Sequence, residues 1–145
     1  MRYRGATTAD ALTLAQLNRQ LIRDEWHRNP MSEEELQVRM ANWLAGEYQA
    51  VLFEGADGPA GYAPFRVEDD HVYLRQFFVR PDRRRQGVGR AAINWLLDNV
   101  WRNAPRVRLD VLIGNAHAIQ FWRAVGFADY CLTMERSGGS LGDHQ

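Results

Sequence analysis

The stretch LRQFFVRPDRRRQGVGRAAINWLLDNVW, residues 74–101, predicts a strand, an arginine-rich loop and a helix in immediate succession. Gly87 and Gly89 stand where the helix begins, and the first N–H groups of a helix are unpaired and partly positive. Glycine has no Cβ, so the backbone can approach a ligand closely there. The loop therefore predicts a cradle for a phosphate or pyrophosphate, unless the two glycines only shape a tight helix entry.

Charge in the loop also favours an anion. Its window holds a single acid, Asp82, beside Arg80, Arg83, Arg84, Arg85 and Arg90. The loop is not a Walker loop, because no Gly-Lys-Ser/Thr follows, and it lacks the third glycine of the dinucleotide fingerprint. The alternative for the arginines is a solvated surface.

Hydrophobic periodicity on either side of this stretch predicts the remaining elements. Ser32 and Glu35 form a capping box that opens a helix ending at Gly46, and Pro64 suggests an edge or bulge position in its strand. Strands are expected at 1–4, 49–54, 61–67, 71–79, 107–113 and 127–135. Of the other helices, one begins at Thr7 or Thr8, and two cover 88–101 and 115–125. This order predicts one α/β domain with a mixed, mostly antiparallel sheet and helices on both faces.

The amino-acid composition limits the classes of protein to which the chain can belong. The 145 residues are 46% apolar and 25% charged, as in a soluble single domain, and no apolar run approaches the roughly 20 residues of a membrane span. A lone cysteine, Cys131, excludes an internal disulfide and a thiolate metal cluster. We therefore expect a cytoplasmic protein with no membrane partner and no metal.

Net charge is zero, and all 18 basic residues are arginine. A chain without lysine cannot use a Schiff-base lysine or a P-loop lysine. A balanced charge also argues against nucleic acid as the partner, although the arginine window keeps a nucleic-acid binder as a third alternative.

The loop Arg84-x-x-Gly87-x-Gly89 resembles the acetyl-CoA signature Gln/Arg-x-x-Gly-x-Gly/Ala of the GNAT superfamily of N-acetyltransferases. Further pieces match in order: residues 74–79 followed by Arg-Pro-Asp, Leu-Asp-Val at 109–111, Asn115 with residues 118–122, and Gly-Phe at 126–127. The resemblance covers about residues 71–127. It implies the acyl-CoA N-acyltransferase (GNAT) fold over residues 1–136, followed by a flexible tail at 137–145.

The resemblance also implies an acetyl-CoA site. Backbone groups of Phe77 and Val79 would pair with the pantetheine arm like an added strand, and amides of the loop would hold the pyrophosphate. The full implied set is Phe77, Phe78, Val79, Arg84, Arg85, Gln86, Gly87, Val88, Gly89, Arg90, Asn115, Ala118, Phe121 and Trp122. For Phe121 and Trp122, core packing is the alternative role.

The implied reaction is direct attack of an acceptor amine on the thioester, with a backbone N–H near Val79 stabilising the oxyanion. Asp110 occupies the position of a proposed base in ribosomal-protein acetyltransferases, and an ion pair with arginine is its alternative role. Trp122 stands where many relatives carry the tyrosine acid, so Tyr130 or Tyr73 would substitute, or the thiolate leaves unassisted. Cys131 is expected to be a buried small hydrophobe.

The resemblance implies a small-molecule or peptide amine as the acceptor, and it leaves open whether the protein forms a homodimer. Its site is expected from the first two helices and the turn before the long strand, which carry Asp24, Glu25, Trp26, His27, Glu68, Asp69 and His71. These would suit a cationic amine, or they are solvated surface acids. An acyl-CoA-sensing module without turnover is the alternative function, motivated by Trp122.

Overall fold

The computed structural model describes residues 1–25 and 29–138, and its sheet carries helices on both faces. The strands are β1 Arg2–Gly5, β2 Tyr48–Gly55, β3 Gly58–Val67, β4 Val72–Leu74, β5 Phe78–Val79 and β6 Val107–Arg108. The helices are α1 Ala11–Asp24, α2 Glu33–Ala45, α3 Val88–Asn99 and α4 Ala116–Ala124, with short 3₁₀ turns at Thr8–Asp10 and Pro81–Arg83. The mixed α/β class predicted from the sequence is confirmed.

Successive side chains of the central strands point to opposite faces of the sheet, so the core has two layers. Val51 and Phe53 of β2 face α3 and α4, whereas Ala50 and Leu52 face α1 and α2. The capping box of Ser32 and Glu35 is present at the start of α2, as predicted.

The sheet runs β1-β2-β3-β4-β6, with β5 paired to β3. All pairs are antiparallel except β4 with β6, which is parallel. The single long strand predicted at 71–79 is wrong, because β4 stops at Leu74 and β5 begins only at Phe78. Residues 75–77 therefore interrupt the strand in the middle of the sheet.

Pro64 explains the position of this break. Of the two positions predicted for Pro64, the edge is wrong, because Pro64 lies in the central strand β3, where its carbonyl accepts from the Arg75 N–H at 2.9 Å. In a strand, the N–H and the C=O of one residue point to the same side. The Pro64 carbonyl points toward the end of β4, so the N–H that proline lacks is missing on that side. Pro64 thus removes the donor that would continue the ladder.

The interruption has the geometry of a β-bulge. Arg75 lies 5.5 Å from the Trp43 ring of α2, and the next residue, Gln76, accepts a 2.6 Å hydrogen bond from the buried Tyr62 hydroxyl. Both side chains therefore lie on the α1–α2 face, where strict alternation would place only one.

The second half of the chain carries less strand than predicted. Of the strand predicted at 107–113, only Val107–Arg108 forms. It pairs with Val72 and Tyr73 of β4, which ends one residue later. No strand forms in residues 127–135, and Cys131 is exposed rather than buried. Of the predicted tail, residues 139–145 lie outside the described part of the chain. No helix in the described ranges is long and apolar enough to cross a membrane.

Gly61 is required where β3 meets β5. A Cβ at Gly61 would overlap the Phe78 carbonyl oxygen and lie 2.9 Å from the Phe53 ring, whereas a Cβ at Gly5 in β1 would meet nothing within 4 Å. We expect Gly61→Ala to lower the free energy of unfolding by about 1–3 kcal/mol through overpacking, and Gly5→Ala to change it little. Urea denaturation of both variants measures the difference, and equal stability of the two would contradict the close approach of β3 and β5.

Candidate active site

A cleft opens where the two parallel strands separate. β4 and β6 pair only at Val72 with Val107 and at Tyr73 with Arg108. Beyond these pairs, residues 75–77 and 109–113 line opposite walls of a cavity of about 760 Å³. Cavities of this volume bind small molecules and cofactors, and in α/β sheets ligands bind outside the carboxyl ends of the parallel strands.

The backbone of β5 leaves one edge open toward this cleft. The Arg80 N–H donates to the Ala60 carbonyl at 2.8 Å, and the Phe78 carbonyl faces Gly61 of β3. Because strand residues alternate, the amides of Phe77 and Val79 face the other way, toward the side where β6 diverges.

Phe78 is one predicted cofactor residue that lies away from this open edge. Its side chain is 1% exposed in the α1–α2 core, and its backbone pairs with Tyr62 of β3. Both the side chain and the backbone of Phe78 thus have partners within the protein, and its contact with the cofactor stays a prediction.

The first turn of α3 provides unpaired amides. Gly87 is the N-cap in the left-handed conformation, at φ +75°, and the first helical hydrogen bond runs from the Ala91 N–H to the Gly87 carbonyl. The amides of Val88, Gly89 and Arg90 therefore have no helical acceptor. These are the groups that bind anions at helix N-termini.

Gly89 has a packing role that the sequence did not indicate. A Cβ at Gly89 would lie 3.2 Å from the Phe121 ring and 3.8 Å from the Phe77 ring. The Phe77 and Phe121 rings stack with centroids 5.9 Å apart. The absence of a side chain at position 89 thus lets the start of α3 rest against this aromatic pair.

Arg84 anchors the loop instead of facing a ligand. Its Nε donates to the Val79 carbonyl at 2.9 Å, and its two terminal nitrogens bind the Asp24 carboxylate at 3.1 and 2.8 Å. The guanidinium also lies 5.4 Å above the Phe78 ring. With these partners in place, Arg84 ties the loop to β5 and to the end of α1.

The other loop arginines divide into paired and unpaired groups. The paired ones are Arg80, which lies 2.7 Å from Asp82, and Arg83, which binds Asp57. Within residues 1–25 and 29–138, no ion pair engages Arg85 or Arg90. Arg85 also has φ +63°, a strained value for a residue with a side chain. Gln86 is exposed beside them, with its amide 3.5 Å from the Asp82 carbonyl.

Helix α4 contributes a second N-terminus. The Asn115 side-chain oxygen accepts from the Ala118 N–H at 3.2 Å, so its amide nitrogen is the group left to bind a ligand. Both residues line the cavity. Trp122, 9% exposed, packs edge-to-face on Phe77, Phe121 and Phe127, and it also lines the cavity.

Asp110 and Tyr73 meet across the cleft. The Tyr73 hydroxyl donates to an Asp110 carboxylate oxygen at 2.8 Å, and both residues line the cavity. Burial, and then the hydrogen bond to Asp110, raise the pKa of Tyr73 to about 12. Tyr130 is 75% exposed with its ring under the Arg108 guanidinium, and it is absent from the cavity wall. Tyr73 is therefore the phenol within reach of the cleft.

The α1–α2 wall of the cavity differs from the expectation of a cationic-amine site. Asn18, Arg39, Arg75 and Gln76 line it. Hydrophobic periodicity did not predict this set, although Asn18, between Leu14 and Leu21 on an apolar helix face, was a signal for it. The predicted acceptor residues Glu68, Asp69 and His71 line a separate cavity of about 410 Å³, and Trp26 and His27 lie outside the described residues.

The sequence and the fold both match known acetyltransferases. The profile of the acetyltransferase (GNAT) family matches residues 15–127. Over 69 residues, 47% of each chain, the sequence is 36% identical to the [ribosomal protein bS18]-alanine N-acetyltransferase of Escherichia coli strain K12. The chain thus matches about half the length of its curated relatives.

Two solved structures share the fold. A Bacillus halodurans protein superposes with a TM-score of 0.78 at 21% identity, over 94% of this chain and 98% of that one. A predicted acetyltransferase of Clostridium acetobutylicum, solved with acetyl-CoA, gives 0.75 at 18% identity over 94% and 95%. Because the family profile spans most of the sequence, including the cleft strands and the α3 loop, the chain belongs to the acetyltransferase (GNAT) family.

Proposed function

We propose that the protein is an acetyl-CoA-dependent N-acetyltransferase that moves an acetyl group to an amine of a small molecule or peptide by direct attack in a ternary complex. The observation that carries the proposal is the open backbone edge of Phe77 and Val79 beside the unpaired amides that begin α3. A cytoplasmic location belongs to the same proposal and rests on the single cysteine.

The residues present fit acetyl-CoA. The open edge of β5 suits a pantetheine arm, which carries amide donors and acceptors like a strand. The amides of Val88, Gly89 and Arg90 suit the pyrophosphate, together with the side chains of Arg85 and Arg90, which have no ion pair within the described part of the chain. The Asn115 amide nitrogen faces the same cavity. When bound, the cofactor supplies an acetyl group activated as a thioester.

In the proposed reaction the amine nitrogen forms a bond to the acetyl carbon, and the carbon–sulfur bond breaks. Asp110 accepts the proton that the amine loses, and a backbone N–H near Val79 stabilises the negative charge on the acetyl oxygen. Tyr73 orients Asp110 through their 2.8 Å hydrogen bond. Positioning of the two substrates in the cleft supplies much of the rate.

In this scheme the thiolate leaves without a general acid from the protein, and the solvent protonates it after departure. A thiol has a pKa of about 8.5, and the pKa of Tyr73 is about 12, so the phenol is too weak an acid to protonate the thiolate efficiently. The Trp122 indole is no better, since it does not act as a general acid. Trp122 is also the observation that favours the second candidate function, an acyl-CoA sensor without turnover.

Arg85 and Arg90 test the phosphate site. We expect Arg85→Gln and Arg90→Gln each to weaken coenzyme A binding about tenfold, because each removes a charged donor. Arg83→Gln is the matched control, since Arg83 in the same loop is paired with Asp57. Calorimetry at low and high salt measures the affinities, and the two test variants should lose part of the salt dependence. An equal loss in the control would contradict the site.

Substitution of Asp110 tests its proposed role as the proton acceptor during turnover. We expect Asp110→Asn to lower kcat by roughly 10²–10⁴-fold, with acetyl-CoA affinity unchanged. Tyr73→Phe should lower kcat by less than Asp110→Asn does. The rate of the wild-type protein should not fall between about pH 8 and 10, because the Tyr73 phenol stays protonated there. Thiol release measures both variants. Tight cofactor binding with no turnover on any amine would favour the sensor.

A further inference from the structure

We propose that the acceptor amine carries a carboxylate, and that Arg39 and Arg75 bind this carboxylate at the α1–α2 wall of the cleft. The inference rests on the proposed function, which it deepens by naming the class of acceptor. It reverses the expectation of a cationic acceptor.

Arg39 is a partly buried cation, and no carboxylate pairs with it among residues 1–25 and 29–138. It projects from α2, donates to the Asn18 side-chain oxygen at 2.8 Å, and lies 4.6 Å from the Trp43 ring centroid. Its Nε is buried and has no hydrogen-bond partner. A buried donor without an acceptor costs free energy, which a ligand oxygen at this position would offset.

Arg75 brings a second guanidinium to the same place. The bulge turns it toward α2, where it lies 5.5 Å from the same Trp43 ring. Burial, followed by the positive charge of Arg75, lowers the pKa of Arg39. Within the described residues neither arginine forms an ion pair with a carboxylate, so two like charges face the cavity together.

The uncharged polar groups at this wall are donors as well. Asn18 is fully buried, its oxygen accepts from Arg39, and its Nδ2 has no partner. Gln76 accepts from the Tyr62 hydroxyl, so its amide nitrogen is the end left to donate. Four neighbouring side chains therefore offer N–H groups at this wall, which matches an oxyanion.

Acidic residues line the same cavity. Glu25, Asp110 and Glu135 are among the lining residues, and Glu25 and Glu135 have interaction partners of their own. Asp110 is held by Tyr73 and is the proposed proton acceptor for the amine. A cavity with a carboxylate on one wall and two guanidiniums on another suits a ligand that has both an amine and a carboxylate, such as an amino acid.

Matched acceptors test the inference. Glycine, alanine and glutamate are compared with their carboxamides, and with spermidine, by thiol release from acetyl-CoA. We expect at least one carboxylate-bearing acceptor to show a kcat/KM roughly tenfold or more above that of its amide. Arg75→Gln, at an exposed position that tolerates substitution, and Arg39→Gln should remove this preference by raising KM, with acetyl-CoA affinity unchanged. Arg19→Gln on the outer surface of α1 is the control, and should keep the preference.

The outcomes separate the two proposals. Turnover of spermidine or of the amides at equal or greater kcat/KM would overturn the carboxylate inference and leave the acetyltransferase in place. A preference that survives in both Arg39→Gln and Arg75→Gln would remove these arginines from acceptor binding. Binding of acetyl-CoA without turnover of any amine would overturn the proposed function, and the inference with it.

Discussion

The hydrogen bond that Pro64 cannot donate shapes the cleft. Proline in a central strand removes one rung of the ladder, and β4 stops opposite it. The bulge at Arg75 and Gln76 follows, and it leaves the next strand segment, β5, paired to β3 alone. Because β6 has no described strand beside it beyond the end of β4, the sheet opens there. The open edge of β5 and the α1–α2 wall of the cavity both lie along this opening.

Arginine serves two different purposes around the cleft. Arg84 connects β5, the loop and the end of α1, so its charge is already balanced by Asp24. Arg85 and Arg90 at the mouth, and Arg39 and Arg75 at the inner wall, have no such counter-ion among the described residues. A count of basic residues in the sequence cannot make this distinction. The unpaired arginines mark two places for negative charge, one for a phosphate and one for the acceptor.

Local signals made part of this structure predictable. Ser32, Glu35 and Gly46 define α2 within a residue of its bounds, and the glycine loop correctly precedes α3. The break at residues 75–77 was not predictable, because its cause is a proline on another strand. Arg84 likewise finds its partner sixty residues away, at Asp24. Residues 127–135 alternate like a strand, but β6 is too short to offer them a pairing edge.

Amide hydrogen exchange followed by NMR tests the open edge of β5 most directly. In the free protein the Arg80 amide, bonded to the Ala60 carbonyl, should exchange slowly, and the Phe77 and Val79 amides should exchange fast. Saturating coenzyme A should then slow Phe77 and Val79 selectively, as an added strand would. Protection of both amides before coenzyme A is added, or no change on saturation, would contradict the account.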